Sequence, residues 1–201
     1  MSELFSPDGL WFTADPHFGH RRAAVFRDFE EVGKMDEALV RAWNDRVGPG
    51  DTVFLLGDVS FAGPGRTREL LDRLNGRIQL ILGNHDKVVQ RGDVRDRFDE
   101  MVRYKEIRVA TGMTHHDRQR VVLMHFALRV WNEHHHGAWH LYGHSHGHLE
   151  PVGRSMDVGV DAVDPPLAPV SFDEVRSVLA DRPIHVVDHH VPSGDDDGPR
   201  A

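Results

Sequence analysis

The chain contains no cysteine, which removes disulfides, thiolate metal sites and cysteine nucleophiles at once. Any metal must therefore sit among nitrogen and oxygen donors, a set that suits Mn, Fe, Zn, Ni or Mg rather than a structural thiolate zinc site. Also missing is any uninterrupted apolar run of the roughly 20 residues a membrane span requires, so no membrane partner is expected. Residues Met1 to Asp8 carry neither a basic n-region nor an apolar h-region, so no secretory signal is expected and the reading is of a cytoplasmic protein. Nor is there a basic excess. The formal charge is −8, with four Asp and one Arg among residues 188–201, and this balance offers no broad cationic surface to nucleic acid. A nuclease stays open even so, because divalent metals make a site locally positive. Internal repeats are absent.

What is present is a composition, 39% apolar and 28% charged over 201 residues, that fits one globular domain with a full core. The expected division is a single domain over residues 1–188 followed by a flexible Gly/Asp-rich tail over 189–201. Within the domain, apolar strands repeatedly run into oxygen or nitrogen donors. Ile78 to Leu82 leads into Gly83-Asn84-His85-Asp86, and Leu10 to Ala14 leads into Asp15 and His17. Thr52 to Leu56 leads into Gly57-Asp58, Val121 to Met124 into His125, and Trp139 to Tyr142 into Gly143-His144-Ser145-His146. Five such strand ends imply one shared site, since open α/β sheets bind ligands beyond the carboxyl ends of their strands.

Helical spacing marks Lys34 to Val47, stopped by Gly48-Pro49-Gly50, and Arg66 to Asn75, closed by Gly76. Phe18 to Arg22 reads as a loop or helix start, and Val88 to Phe98 as helical or partly irregular. Tyr104 to Ala110 and Gln119 to Met124 read as consecutive strands, so the alternation of strand and helix gives way to mixed sheet built from two halves. Ser171 followed by Glu174 has the pattern of a capping box, and Ile184 to Val187 is expected as a terminal strand.

Asp15 and His17 are two apart, as are His144 and His146, so on extended chain each pair points one way and can reach one ion. Asp58 is the best candidate to bridge two ions, having two carboxylate oxygens and a preceding glycine that admits close backbone approach. Two ions would clamp an anionic substrate and lower the pKa of a water between them until hydroxide is available near neutrality. Phosphate ester hydrolysis suits that chemistry best.

On these motifs, from Asp15-Pro16-His17 through Gly57-Asp58, Gly83-Asn84-His85-Asp86 and His125 to Gly143-His144-Ser145-His146, the chain resembles the calcineurin-like metallophosphoesterases, in particular their small bacterial and phage-type members. Trp43-Asn44, Trp139-His140 and Asp157-Val158-Gly159-Val160-Asp161 are in keeping. The resemblance implies an α/β fold, a four-layer α/β/β/α sandwich of two mixed sheets flanked by helices. It also implies that Asp15, His17 and His146 hold one divalent metal, Asn84, His125 and His144 the other, with Asp58 bridging and manganese the foremost candidate. His85 would then face the scissile phosphate as proton donor or charge stabiliser. One departure stands out: Gly57-Asp58 is followed by Val59-Ser60-Phe61-Ala62-Gly63, without the second Asp and the Arg of protein serine/threonine phosphatases. The expected substrate is accordingly a phosphodiester or small phosphomonoester, not a phosphoprotein.

Other residues leave alternatives. His20 and Arg22 are candidate phosphate contacts or solvated loop residues. Asp157 and Asp161 are partners for ligating histidines or turn formers beside Gly159. His134-His135-His136 is read as a polar loop near the site. Two other functions are weighed beside hydrolysis of small esters. One is a catalytically weak binding scaffold, which the presence of His85 disfavours. The other is a nuclease acting on DNA or RNA ends, for which Arg21, Arg22, Arg66, Arg68, Arg91, Arg95 and Arg97 could line a groove or form a solvated surface.

Overall fold

The computed structural model describes residues 3–112, 114 and 117–186. At its centre is β3 (Thr52–Leu55), buried at every position. Val53 and Leu55 enter one apolar cluster while Phe54 and Leu56 enter another, the two-residue alternation of a strand covered on both faces. Its sheet runs β10-β2-β3-β4-β5, with β2 at Leu10–Thr13, β4 at Arg77–Ile81, β5 at Phe98–Val102 and β10 at Val170–Ser171. Strands β2 to β5 are parallel, and β10 is antiparallel to β2. The second sheet runs β1-β6-β7-β8-β9, formed by Glu3–Phe5, Tyr104–Ala110, Arg118–Met124, Trp139–Tyr142 and Ser155–Asp157. Only the β6–β7 pair in it is antiparallel.

The two sheets pack face to face over Phe12, Phe54, Ile81, Val109, Val121, Leu123 and Leu141. On the outer face of the first sheet lie α1 (Arg21–Phe26), α2 (Val32–Asn44) and α3 (Pro64–Asp72). Helix α2 buries Met35, Leu39, Val40 and Trp43, the i, i+4, i+5, i+8 stripe of an amphipathic helix. Over the second sheet, Trp131 packs on Val122 beside a one-turn 3-10 helix at His134–His136. The result is the four-layer α/β/β/α sandwich. The Ser171–Glu174 capping box is formed, and it starts α5 (Phe172–Leu179). Among the described residues no helix is long and apolar enough to cross a membrane.

Val88 to Phe98 is partly irregular, as expected, with the single turn α4 (Gly92–Arg95) before Phe98 opens β5; Asp93, Asp96 and Gly92 leave it no continuous apolar stripe. One expectation needs correction. Residues 184–186 form no strand. Ile184 and Val186 are β-branched and favour extended chain, yet they take no part in a sheet among the described residues. Val187 and the tail lie outside the described residues.

Candidate metal centre

All five donor-bearing segments leave the carboxyl ends of β2, β3, β4, β7 and β8. The loops after β2 and β3 stay paired beyond the strands: Asp15 N–H donates to Gly57 O (3.0 Å), His17 N–H to Asp58 O (3.1 Å) and Phe18 N–H to Val59 O (3.0 Å). Gly57 (φ +87°) makes the close approach possible, since a Cβ there would lie 2.5 Å from Gly83 N and 2.8 Å from His125 Nδ1. Five of the seven expected ligands sit in the left-handed region without being glycine: Asp15 (φ 57°), His17 (51°), Asp58 (55°), His144 (67°) and His146 (47°). Non-glycine residues pay for that conformation, and such strain collects at functional sites.

These turns bring two sets of side chains together. The potential ligand atoms of Asp15, His17 and His146 lie within 4.8 Å of one another, as do those of Asp58, His125 and His144. Asp58 stands between the sets, with Oδ2 at 3.4 Å from His17 Nε2 and Oδ1 at 3.6 Å from His125 Nε2. Asn84 completes the second set, its Oδ1 3.0 Å from His125 Nε2. His85 is exposed at the mouth, its ring 4.9 Å from that of Phe61 and 6.5 Å from that of His17.

The proton positions test whether cations fit. His125 Nδ1 lies 2.7 Å from Leu56 O, a carbonyl that can only accept, so Nδ1 carries the proton. In the neutral ring Nε2 is then a bare lone pair, and it faces two further acceptors, Asn84 Oδ1 and Asp58 Oδ1. His146 repeats the logic: Nδ1 is 2.6 Å from Asp161 Oδ2, which leaves Nε2 for the set it shares with Asp15 and His17. Asp15 is fully buried. Its Oδ2 accepts from His144 N–H at 2.7 Å, while its Oδ1 has no hydrogen-bond partner. A buried carboxylate oxygen without a donor is costly, and a cation among such lone pairs relieves it. The donor set fits divalent metal.

Titration directions follow the same surroundings. Burial pushes the Asp15 carboxyl well above the usual carboxylate range, against the favourable field of His146. Asp58 is opposed by burial too, but hydrogen bonds from His17 and from His85 N–H, with the nearby His125, bring it down to about 2. Burial lowers His17. The hydrogen bond to Asp161 raises His146.

Further side chains hold these loops, among them Asp161 in the expected role of partner to a histidine and Asp86 and Arg27 in roles the sequence did not assign. Asp86, 1% exposed, accepts from Asp58 N–H (3.0 Å) and Gly83 N–H (2.7 Å) on Oδ2 and from Val59 N–H (2.8 Å) on Oδ1, joining the loops after β3 and β4. Arg27 forms a two-pronged pair with Asp161 (2.7 and 2.7 Å) and donates to Pro16 O and Asp15 O (2.8 Å each). Asp161 therefore buttresses His146. Asp157 serves as the turn former, accepting from Gly159 N–H and also from Gly147 N–H. His20 caps α1, its Nδ1 accepting from Ala23 N–H (3.0 Å), with its ring 5.5 Å from that of His17. Arg22 is exposed. His134 is buried, and none of His134, His135 and His136 joins either set. Of the scattered arginines, Arg66 and Arg68 pair with Glu69 and Asp72, and Arg97 donates to carbonyls of Leu71, Leu74 and Gly76.

No family model matches the chain. It is 31% identical over 174 residues to the uncharacterized protein MJ1445 of Methanocaldococcus jannaschii, covering 85% of this chain and 90% of that protein. It is 33% identical over 200 residues to the Gene 66 protein of Mycobacterium phage D29, covering 86% and 96%. A crystal structure of a protein of unknown function from Aquifex aeolicus superposes with a TM-score of 0.61 at 20% identity, covering 85% of this chain and 98% of that one, a likeness of fold.

Proposed function

We propose that this chain, which belongs to the same family as the Methanocaldococcus protein and the phage D29 Gene 66 protein, is a dinuclear metal-dependent phosphoesterase of the calcineurin-like kind that hydrolyses a phosphodiester or small phosphomonoester. The observation that carries this reading is Asp58, whose two carboxylate oxygens each face one of two converging His/Asp sets. Asp15, His17 and His146 would hold one ion and Asn84, His125 and His144 the other, with Asp58 shared and manganese the first metal to try.

When bound, such ions supply positive charge to phosphoryl oxygens and acidify water. The protein's own part is positional. Leu56 O and Asp161 fix the tautomers of His125 and His146, so each presents Nε2 to the site. His85 is at the mouth, where it supplies a proton to the leaving oxygen as the ester P–O bond breaks and water's oxygen bonds to phosphorus. The attacking water gives up its proton to solvent and His85 regains one from solvent, so the step closes with the ester P–O bond broken, a new P–O bond formed and the alcohol released. The sequence Val59-Ser60-Phe61 after Asp58 supplies no carboxylate partner for His85, and its ring rests on Phe61 instead.

Hydrolysis of bis-p-nitrophenyl phosphate and p-nitrophenyl phosphate with added Mn²⁺ tests the proposal. Asp58→Asn is expected to lose activity and metal together, and His85→Ala to lose activity while keeping two ions. Turnover of neither ester by protein carrying two ions would overturn it.

A further inference from the structure

A cavity of about 800 Å³ opens beside His146 and Asp161, on the flank of the proposed metal centre. Its walls come from two segments: Phe26 and Phe29 around the end of α1, and Pro166 and Leu167 from the chain before β10. Phe26 is 54% exposed at the edge of the cavity. Its ring stands edge-on to His146 at 5.7 Å, so one imidazole belongs both to the centre and to the cavity. Leu167 has φ 68°, held by its N–H bond to Val160 O at 2.8 Å. A bulky residue kept in that conformation on a cavity wall is strain of the kind found at binding sites.

The charge at the cavity floor is already matched. Arg27, with its side chain 4% exposed, is ion-paired to Asp161, and its remaining donors go to the Asp15 and Pro16 carbonyls. The lining's one guanidinium is this paired Arg27, it has no ammonium, and an exposed imidazole, His148, stands at its edge. Volume and lining are those of a pocket for a neutral, largely apolar organic group, and an aromatic ring at its rim favours a flat one.

We infer that this cavity binds the nucleoside part of a nucleoside phosphate ester while the phosphate lies at the metal centre. The inference rests on the phosphoesterase reading for the phosphate and on the cavity alone for the base. Phe26, whose ring also has the Arg27 guanidinium 5.2 Å from its centroid, is the aromatic surface offered to the base, and Leu167 is a second apolar wall. Small nucleotides and the ends of nucleic acids present the same chemistry.

Titration of the full-length protein with adenosine, which has no phosphate to react, reads the cavity directly. Amide NMR shifts are expected at Phe26, Phe29 and Leu167, and Phe26→Ala should weaken binding about tenfold, as for loss of one base–aromatic stack. Leu167→Gly, which suits the positive φ and removes the wall, should weaken it similarly. Shifts confined to other residues, or binding unchanged by both variants, would overturn the inference. With Mn²⁺ present, thymidine 5′-p-nitrophenyl phosphate should be hydrolysed with higher kcat/KM than methyl p-nitrophenyl phosphate, and Phe26→Ala should collapse that ratio. The same preference in a thymidine dinucleotide without salt dependence supports a small-nucleotide source. A steep salt dependence on oligonucleotides supports a nucleic-acid end. Adenosine binding without hydrolysis of either ester would refute the phosphoesterase reading and leave the cavity assignment standing. Equal hydrolysis of both esters with no adenosine binding would refute the cavity assignment alone.

Discussion

Asp86→Asn is the substitution that most sharply separates an organised centre from a fortuitous cluster. The native carboxylate takes two N–H groups on Oδ2, from Asp58 and Gly83, and one on Oδ1, from Val59. An asparagine has one oxygen and one NH₂, so in either orientation at least one of these N–H groups meets another donor. One orphaned buried N–H costs about 1–3 kcal/mol, and the bonds that survive lose their charge assistance. The expected destabilisation is about 3 kcal/mol, read by urea unfolding of metal-free protein at pH 7. The loss is also local. Without Oδ2 between them the turns carrying Asp58 and Asn84 separate, and Mn²⁺ affinity should fall about 10–100-fold, the range for a support behind a metal ligand. A change below about 1 kcal/mol with unaltered Mn²⁺ affinity would refute the idea that Asp86 sets the geometry of both loops.

Asp161→Asn keeps an acceptor for His146 but strips Arg27 of its counter-charge, and breaking a buried pair from one side costs about 3–5 kcal/mol; equal unfolding midpoints for wild type and variant would contradict the pairing. His140 provides a pH signature. Its Nδ1–H donates to Val122 O and its Nε2 accepts from Leu128 N–H, and burial lowers its pKa from 6.5 to about 4. The unfolded chain takes up that proton first as pH falls. Stability is therefore intact above pH 6.5 and lost progressively toward pH 4, by about 3 kcal/mol at ~1.36 kcal/mol per pH unit. His140→Gln should flatten that limb in unfolding experiments between pH 4.5 and 7.5, and parallel wild-type and variant curves would refute it. Finally, free Mn²⁺ at a hundredfold its Kd should stabilise by about 2.7 kcal/mol per ion over chelated protein, a Tm rise of about 5–10 °C for one ion; coincident melting curves would argue against binding.

The strands that carry the centre were legible because their chemistry is abrupt. Trp139–Tyr142 is buried throughout and then turns to Gly143-His144 at its end. Strand β5 was not, because Phe-Asp-Glu-Met-Val at a sheet edge shows no clean alternation. Two-residue β10 and the polar β9 exist through pairing with β2 and β8, which local pattern does not encode. Ile184 to Val186 is the converse, strand-like composition without strand pairing among the described residues. At the centre, the two-residue spacing placed Asp15 and His17 in one set, as expected, but His144 and His146 fall in different sets rather than reaching one ion together. The reason is the left-handed backbone at all four residues, which turns neighbouring side chains apart or together where extended chain would align them. Asp161 was legible as a partner for a ligating histidine, but its pair with Arg27, 134 positions away, and the three backbone N–H donors to Asp86 leave no trace in residue order.

The most direct measurement is anomalous scattering at the manganese edge from crystals of the Mn²⁺-loaded protein. Two peaks, one on each side of the Asp58 carboxylate, are the expected result, the first beside Asp15, His17 and His146 and the second beside Asn84, His125 and His144. A single peak remote from Asp58, or none at saturating Mn²⁺, would contradict a centre built by these seven side chains.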